Sequence, residues 1–259
     1  MGDSEFVKTQ KDGHLLIVEI NRPERMNALH PPANEALSDV FDEFAGDKDL
    51  WVAIITGAGD RAFCAGNDLR WQAEGNEVTV PPMGFAGLTG RYDLDKPVIA
   101  AVNGVAMGGG FEVALACDLI IAADTARFAL PEPKVGLGAL AGGLQRLPRQ
   151  IGLKHAMGMI LTARHVGAAE GEALGFVNEV VPASELMAAA QRWADMILDC
   201  SPMAIRASKQ AVQRGLNMPV LSEACDYRFP AVKDLLKSAD FVEGPKAFAE
   251  KRKPNWTNE

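Results

Sequence analysis

The stretch 95-DKPVIAAVNGVAMGGGFEVALACDLIIAAD-124 decides how this chain is read. Val98 to Val102 is a short apolar run of the kind that forms a buried strand. Asn103-Gly104 signals a turn. Gly108, Gly109 and Gly110 then stand in a row, Phe111 to Ala116 is helical in character, and Leu119 to Ala123 is a second apolar run. Strand, glycine turn, helix, strand is the alternation of an α/β domain. Consecutive glycines let a backbone come close to a ligand, because no Cβ intervenes. They also leave free N–H groups at a helix start, where a negative oxygen is stabilised. The run is not a dinucleotide fingerprint, since G-x-G-x-x-G does not fit it. Glu112, two residues past the last glycine, is an acid in an apolar segment. Taken alone, such a carboxylate is more often a satisfied or surface group than a catalyst.

Toward the N-terminus, His14 to Ile20 and Trp51 to Thr56 are strand-like, the second of the continuous apolar type found in parallel sheets. Between them, Leu37, Val40, Phe41 and Phe44 recur at helical spacing, predicting a helix over 34–45. Residues 62–69, AFCAGNDL, form a second glycine-bearing loop. Residues 73–95 are long, irregular and rich in glycine and proline, which favours a lid or the wall of a pocket. Trp71 and Phe85, at its edge and inside it, fit either core or pocket. Toward the C-terminus, Pro131-Glu132-Pro133 places a second acid in a special turn, and 136–143 is very glycine-rich. Residues 144–161 are expected as one helix and 176–181 as one more strand. From Ser184 onward the chain is all helix, expected at 184–199, 202–216, 222–238 and 243–252, with Ser184 and Ser201-Pro202 as caps. The change near residue 183 divides the chain into a core, 1–183, and a helical region, 184–259.

Composition narrows the function classes. The chain has 259 residues, enough for one large α/β domain with an appendage or for two small domains. A net charge of −8 argues against nucleic acid or an anionic membrane as the main partner. No apolar run is long enough for a membrane helix, and the polar start, MGDSEFVKTQKDGH, has neither a secretory apolar region nor the myristoylation pattern. Cys64, Cys117, Cys200 and Cys225 are scattered, and three of them sit in apolar context as core thiols. That usage points to a reducing, cytoplasmic setting. His14, His30, His155 and His165 form no pair at ligand spacing, so no metal site is expected.

Three loops thus combine glycine with acid: Phe63 to Leu69, Gly108 to Glu112, and Pro131 to Gly143. N–H groups from two such loops can make an oxyanion hole, and carboxylates from two loops can hold a water and exchange protons with it. Adding or removing water beside a thioester requires both. Six segments in this order resemble the crotonase, or enoyl-CoA hydratase/isomerase, superfamily: NRPERMNAL at 21–29, AFCAGNDL at 62–69, KPVIAAVNGVAMGGGFE at 96–112, FALPEPKVG at 128–136, GGLQRLPRQIG at 142–152 and AFAEKRKPNW at 247–256. The likeness covers nearly the whole chain. Within the superfamily it is closest to the carnitinyl-CoA dehydratase branch, on GFAGLT at 84–89, LDKPVIAAVNG at 94–104, GGGFEVALA at 108–116, FALPE at 128–132 and EGPKAFAEKRKPNW at 243–256.

The resemblance implies an α/β fold built as a ClpP-like spiral of ββα units with a C-terminal helical trimerisation region, assembling as a homotrimer or as a hexamer of paired trimers. It implies a hydro-lyase that adds water reversibly, and syn, to a 2-enoyl-CoA, giving a 3-hydroxyacyl-CoA. Hydratases of the superfamily carry glutamate at both acidic positions, here Glu112 and Glu132. Oxyanion donors would be the backbone N–H groups of Asn67 and Gly109. The acyl-CoA substrate would lie along Arg25, Met26, Ala28, Ala65, Gly66, Asp68, Leu69, Gly108 and Pro131, with Phe248 and Lys251 reaching a neighbouring coenzyme A. No metal or redox cofactor is implied, coenzyme A being part of the substrate. The bare residue types also allow Asp68 to be a loop or cap residue, and Cys64 to serve packing alone. One departure stands out. Ala139-Leu140 replaces the Pro-Gly of typical hydratases and the Pro-Asp of the carnitinyl-CoA branch, leaving the Leu140 N–H as the group expected to hold water. Rival readings are a Δ3-Δ2 enoyl-CoA isomerase using Glu132 alone, and a non-catalytic homologue that binds acyl-CoA or RNA.

Overall fold

The computed structural model describes residues 4–259; Met1 to Asp3, the first residues of the polar start, lie outside it. Among the described residues the strands are β1 (Val7–Asp12), β2 (Leu15–Ile20), β3 (Val52–Gly57), β4 (Ala62–Cys64), β5 (Val98–Val102), β6 (Val105–Met107), β7 (Leu119–Ala123), β8 (Arg127–Ala129), β9 (Val166–Gly167) and β10 (Glu179–Val181). They form a six-stranded sheet, β1-β2-β3-β5-β7-β10, and a four-stranded sheet, β4-β6-β8-β9. The strands β3, β5 and β7 are neighbours in the large sheet, and the strands that follow each of them, β4, β6 and β8, are neighbours in the small one. Each turn of the chain therefore lays one strand in each sheet, and the pairings between successive turns are parallel. That is the expected spiral of repeating units.

The helices are α1 (Pro31–Gly46), α2 (Leu69–Ala73), α3 (Gly109–Ala116), α4 (Gly143–Ile151), α5 (Leu153–Thr162), α6 (Ala168–Leu174), α7 (Leu186–Leu198), α8 (Pro202–Gly215), α9 (Leu221–Asp226), α10 (Pro230–Leu235) and α11 (Ala239–Ala249). The large sheet is covered on both faces, which is why its central strands have no polar alternation. Ala53, Ile55, Val98, Ala100 and Val102 enter the main core with Phe41, Phe63, Phe111 and Phe128. Val52, Ile54, Ile99, Ala101 and Ile121 face the other way, onto Leu186, Ala189, Ala190 and Ala194 of α7. The first helix of the C-terminal region is thus a layer of the core. Further along, α8 is anchored by Lys209, which ion-pairs with Asp118 at 2.7 Å, and by Gln210, which donates to Asp95 at 2.6 Å.

Several expectations require correction. Neither the small sheet nor β1 is among the expected strands: strands of two or three residues carry no periodic signal, and β1, VKTQKD, is polar and largely exposed. Residues 144–161 form two helices, broken at Gly152, whose φ of 79° and ψ of 156° no helix contains. The expected helix over 222–238 is likewise two, separated where Phe229 turns extended ahead of Pro230. Strand 176–181 shortens to β10, since Phe176 and Val177 turn inward to the core. Ser184 does not cap α7, which starts at Leu186 after a single 3-10 turn with no side-chain cap. Ser201 does cap α8, its Oγ accepting from the Ala204 N–H at 3.2 Å, with Pro202 in the first turn. Only Cys64 and Cys117 are core thiols; Cys200 and Cys225 are exposed.

Candidate active site

The site lies where the spiral brings its glycine loops together. Strand β6 ends at Met107, and Gly108 (φ 54°, ψ −127°) turns the chain into α3. A Cβ at Gly110 would lie 1.9 Å from the Cys64 carbonyl oxygen, so only glycine lets the first turn of α3 seat on the end of β4. Beside it, Gly66 has φ of 92°, a value L side chains avoid, and its Cβ direction meets Gly109 N at 3.1 Å. The two expected oxyanion loops are therefore in contact.

Neither expected donor has a hydrogen-bond partner among the described residues. Gly109 is the first residue of α3, where no preceding turn supplies a carbonyl. Leu29 N–H donates to Gly66 O at 2.8 Å, and Asp68 N–H donates to Leu29 O at 2.9 Å. In this parallel bridge Asn67 is the residue opposite Leu29, and its own N–H points away from that strand.

Both acids arrive at the same place. Glu132 opens a short 3-10 turn after β8, and its Oε1 stands 2.8 Å from where a Gly108 Cβ would be. Its Oε2 is buried without a protein partner. Glu112, one turn into α3, is 3% exposed, and its Oε1 accepts from the Gly143 N–H at 2.8 Å. Burial pushes the Glu112 carboxyl up to about 7, with the charge of Glu132 acting in the same sense. The amides of Gly143 and Ala141 and the charge of Arg146 oppose that rise. Burial also raises Glu132. Two such neighbouring carboxyls disfavour ionising together.

The other expected residues divide into groups. Met26, Ala28, Ala65 and Gly66 run side by side: Ala65 N–H donates to Met26 O at 3.0 Å, and Leu29 binds Gly66 as above. Arg25 ends a 3-10 turn beside them, and Leu69 is 46% exposed at the start of α2. Asp68 is buried and structural in this chain. It caps α2 by accepting from Arg70 and Trp71, and it pairs with buried Arg22 at 3.1 Å. Leu140 does not offer its N–H to a water, because that N–H donates to Gly138 O at 2.9 Å, while the side chain is 83% exposed. The amides aimed at the acid are those of Ala141 and Gly143 instead. Pro131 precedes Glu132 and shapes its turn. Phe248 and Lys251, at the end of α11, are exposed and share no hydrogen bond with these loops among the described residues.

The irregular stretch 73–95 has two halves. Residues 73–80 are exposed, whereas 85–89 is buried, and Phe85, Leu88 and Thr89 line an open cavity of about 1230 Å³. The Phe85 ring sits against Gly109, 2.6 Å from where a Cβ there would be. Leu140, Ala141 and Gly142 line the same cavity. Trp71 is half-buried, edge-on to His30. Cys64 serves packing, burial pushing its thiol up to about 12. Among the described residues no group of His, Cys, Asp and Glu is arranged to hold a metal ion, and no helix is long and apolar enough to cross a membrane.

Residues 10–259 match the family model for enoyl-CoA hydratase/isomerase. The chain belongs to that family. A carnitinyl-CoA dehydratase of Escherichia coli O157:H7 is 44% identical over 258 residues, 98% of each chain. An enoyl-CoA hydratase structure from Mycobacterium tuberculosis H37Rv superposes with a TM-score of 0.93 at 38% identity, covering 99% of this chain and all of that one. A carnitinyl-CoA hydratase structure from Mycobacterium avium, also 38% identical over 99% of this chain and 100% of its own, gives 0.79. The fold is thus the crotonase fold.

Sequence reading missed three groups that build the family site here. Arg22 donates to Ala28 O as well as to Asp68. Asn27, fully buried, accepts from Arg22 N–H and donates to Ala58 O and Ala62 O. Gly143 was legible only as part of a glycine-rich run; the available signal was the change from glycine loop to helix at GGLQR.

Proposed function

We propose that the protein is an enoyl-CoA hydratase that adds water reversibly to a 2-enoyl-CoA. One observation carries this reading: buried Glu112 and half-buried Glu132, whose Oε2 is buried, converge on a helix start whose Gly109 N–H and neighbouring Asn67 N–H are unpaired among the described residues. The thioester oxygen accepts from those two amides, which stabilise it as it gains enolate charge. The ionised member of the acid pair takes a proton from water as its oxygen bonds to Cβ. The protonated member delivers its proton to Cα on the same face, so the pair ends with one proton, as it began. The chemical tasks, charge stabilisation and proton transfer, are met by amides and carboxylates, without a metal or redox group.

Coenzyme A would run along Arg25 to Ala28 and Ala65 to Leu69, the paired segments that lead to Asn67. The same reading makes the exposed Phe248 and Lys251 contacts for a neighbouring subunit's coenzyme A within a homotrimer or hexamer. The test is a panel of crotonyl-, longer enoyl-, aromatic enoyl- and crotonobetainyl-CoA, followed by loss of the enoyl-thioester absorbance. Turnover of at least one is expected; none would overturn the hydratase reading.

A further inference from the structure

We propose that Arg146 is a positioning residue for the reaction: its guanidinium ties the loop that holds Glu112 to the wall that backs the Gly109 amide. This rests on the hydratase reading of Glu112 and Gly109. Arg146 lies in the first turn of α4. Its Nη1 donates to Ala141 O at 3.3 Å, and its Nη2 donates to Thr89 O at 2.8 Å, 57 residues away in sequence. Ala141 belongs to the loop whose amides point at Glu112. Thr89 donates its own N–H to Phe85 O, and the Phe85 ring fills the space against Gly109. One planar group therefore spans the support of the acid and the support of an oxyanion donor. The guanidinium carbon also lies 5.4 Å from the centroid of the Tyr92 ring, which holds it from the solvent side.

Arg146 forms no ion pair among the described residues, whereas Arg22, Arg91, Arg164, Arg192 and Arg252 each do. Its charge is spent on two carbonyls and on the site. Glu132 and Arg146 are the charged groups that act on Glu112, in opposite senses. A lysine would keep the charge but not the fork, because one ammonium does not reproduce the planar reach to two carbonyls.

The experiment compares Arg146→Lys, Arg146→Gln and Gly142→Ala with the wild-type enzyme, measuring kcat, KM and the pH profile. Gly142→Ala perturbs the same junction from the backbone side, since its Cβ would lie 2.1 Å from Arg146 Nη1 and its φ of 105° strains any residue with a Cβ. All three should lose kcat by about tenfold or more while KM stays within about threefold, as misplacement of reacting groups does. Arg146→Gln alone should also move the alkaline limb of the profile to higher pH, because a favourable charge is removed. Wild-type kcat in folded Arg146→Gln overturns the proposal. So does a loss that merely follows the folded fraction, with the profile unchanged. Absence of turnover in the wild-type enzyme would fall on the hydratase reading instead. Infrared titration of the Glu112 carboxyl, its band located with Glu112→Gln, still decides: a raised midpoint in Arg146→Gln supports the charge coupling, and an unmoved one overturns it.

Discussion

The backbone N–H of Gly143 donates to Oε1 of Glu112 at 2.8 Å, across 31 residues of sequence. It joins the first residue of one helix to an acid one turn inside another. A Cβ at Gly143 would lie 3.0 Å from Glu112 Cγ and Oε1 and 3.1 Å from Leu130 Cδ1. Leu130 is fully buried, so the carboxyl is the group that gives way. Gly143→Ala should lower kcat by about tenfold to a hundredfold through misplacement of Glu112, with KM nearly unchanged. Steady-state kinetics on the preferred enoyl-CoA checks this, and a wild-type kcat would show that the hydrogen bond does not orient the acid.

In the proposed mechanism each carboxyl transfers a proton, one from water and one to Cα. Glu112→Gln and Glu132→Gln should each lower hydration by about 10²–10⁴-fold, the usual worth of a positioned acid or base. Retention of full hydration by either variant would remove the paired mechanism. Isomerase activity that survives only in Glu112→Gln would favour a single-acid reaction at Glu132.

Ionising Glu112 opposes folding. Its carboxyl moves from 4.5 to about 7 on burial. Below 4.5 it is protonated folded or unfolded, and it carries no penalty. Above about 7 it is ionised in both states, and the folded state bears the full cost. The contribution of this group to stability therefore falls as pH rises through that window. Glu112→Gln, which stays neutral and can still accept from Gly143, should be more stable than wild type above the window by at most about 3 kcal/mol. The two should be equal below the window. Thermal denaturation on both sides of it decides, and a difference independent of pH would contradict the assignment. The activity profile should lose its alkaline limb near the same value, where the pair sheds its shared proton.

Asn27 is a structural clasp with a functional consequence. It is fully buried at φ 54°, accepts from Arg22 N–H at 2.9 Å, and donates to Ala58 O at 3.0 Å and Ala62 O at 2.7 Å. Asn27→Ala removes three hydrogen bonds to buried backbone groups, of which Ala62 O keeps a longer one from Asn103 at 3.3 Å, and places alanine in the left-handed region. It should cost about 3 kcal/mol by chemical denaturation. It should also raise KM for the acyl-CoA, because Met26 and Ala28 flank it. Unchanged stability would mean that water replaces all three bonds.

Five of the six segments that carry the family resemblance lie in the site or hold it in place, and only 247–256 stands apart from these loops, which is why so much of the site was legible. Glu112, Glu132, Gly66 and the triple glycine are constrained by covalent geometry and by chemistry that few residue types supply. Asp68 was the ambiguous residue, because a capping carboxylate and a ligand-facing one look alike in sequence; the buried Arg22 beside it, 46 residues away, decides for structure. Leu140 failed for a related reason. Whether an N–H is free depends on a local turn, and here Gly138 O occupies it.

By itself the sequence determined the apolar strands of the large sheet, the glycine loops, the acid pair and the family, because burial pattern, missing Cβ atoms and carboxylates are properties of residue type. Only the tertiary structure decided which of those groups meet. The small sheet rests on strands of two or three residues whose pairing is entirely long-range. The hydrogen bonds of Gly143 to Glu112 and of Arg146 to Thr89 join residues 31 and 57 positions apart. The raised carboxyl of Glu112 follows from burial. None of these is a property of any local stretch; each arises when the spiral closes and water leaves.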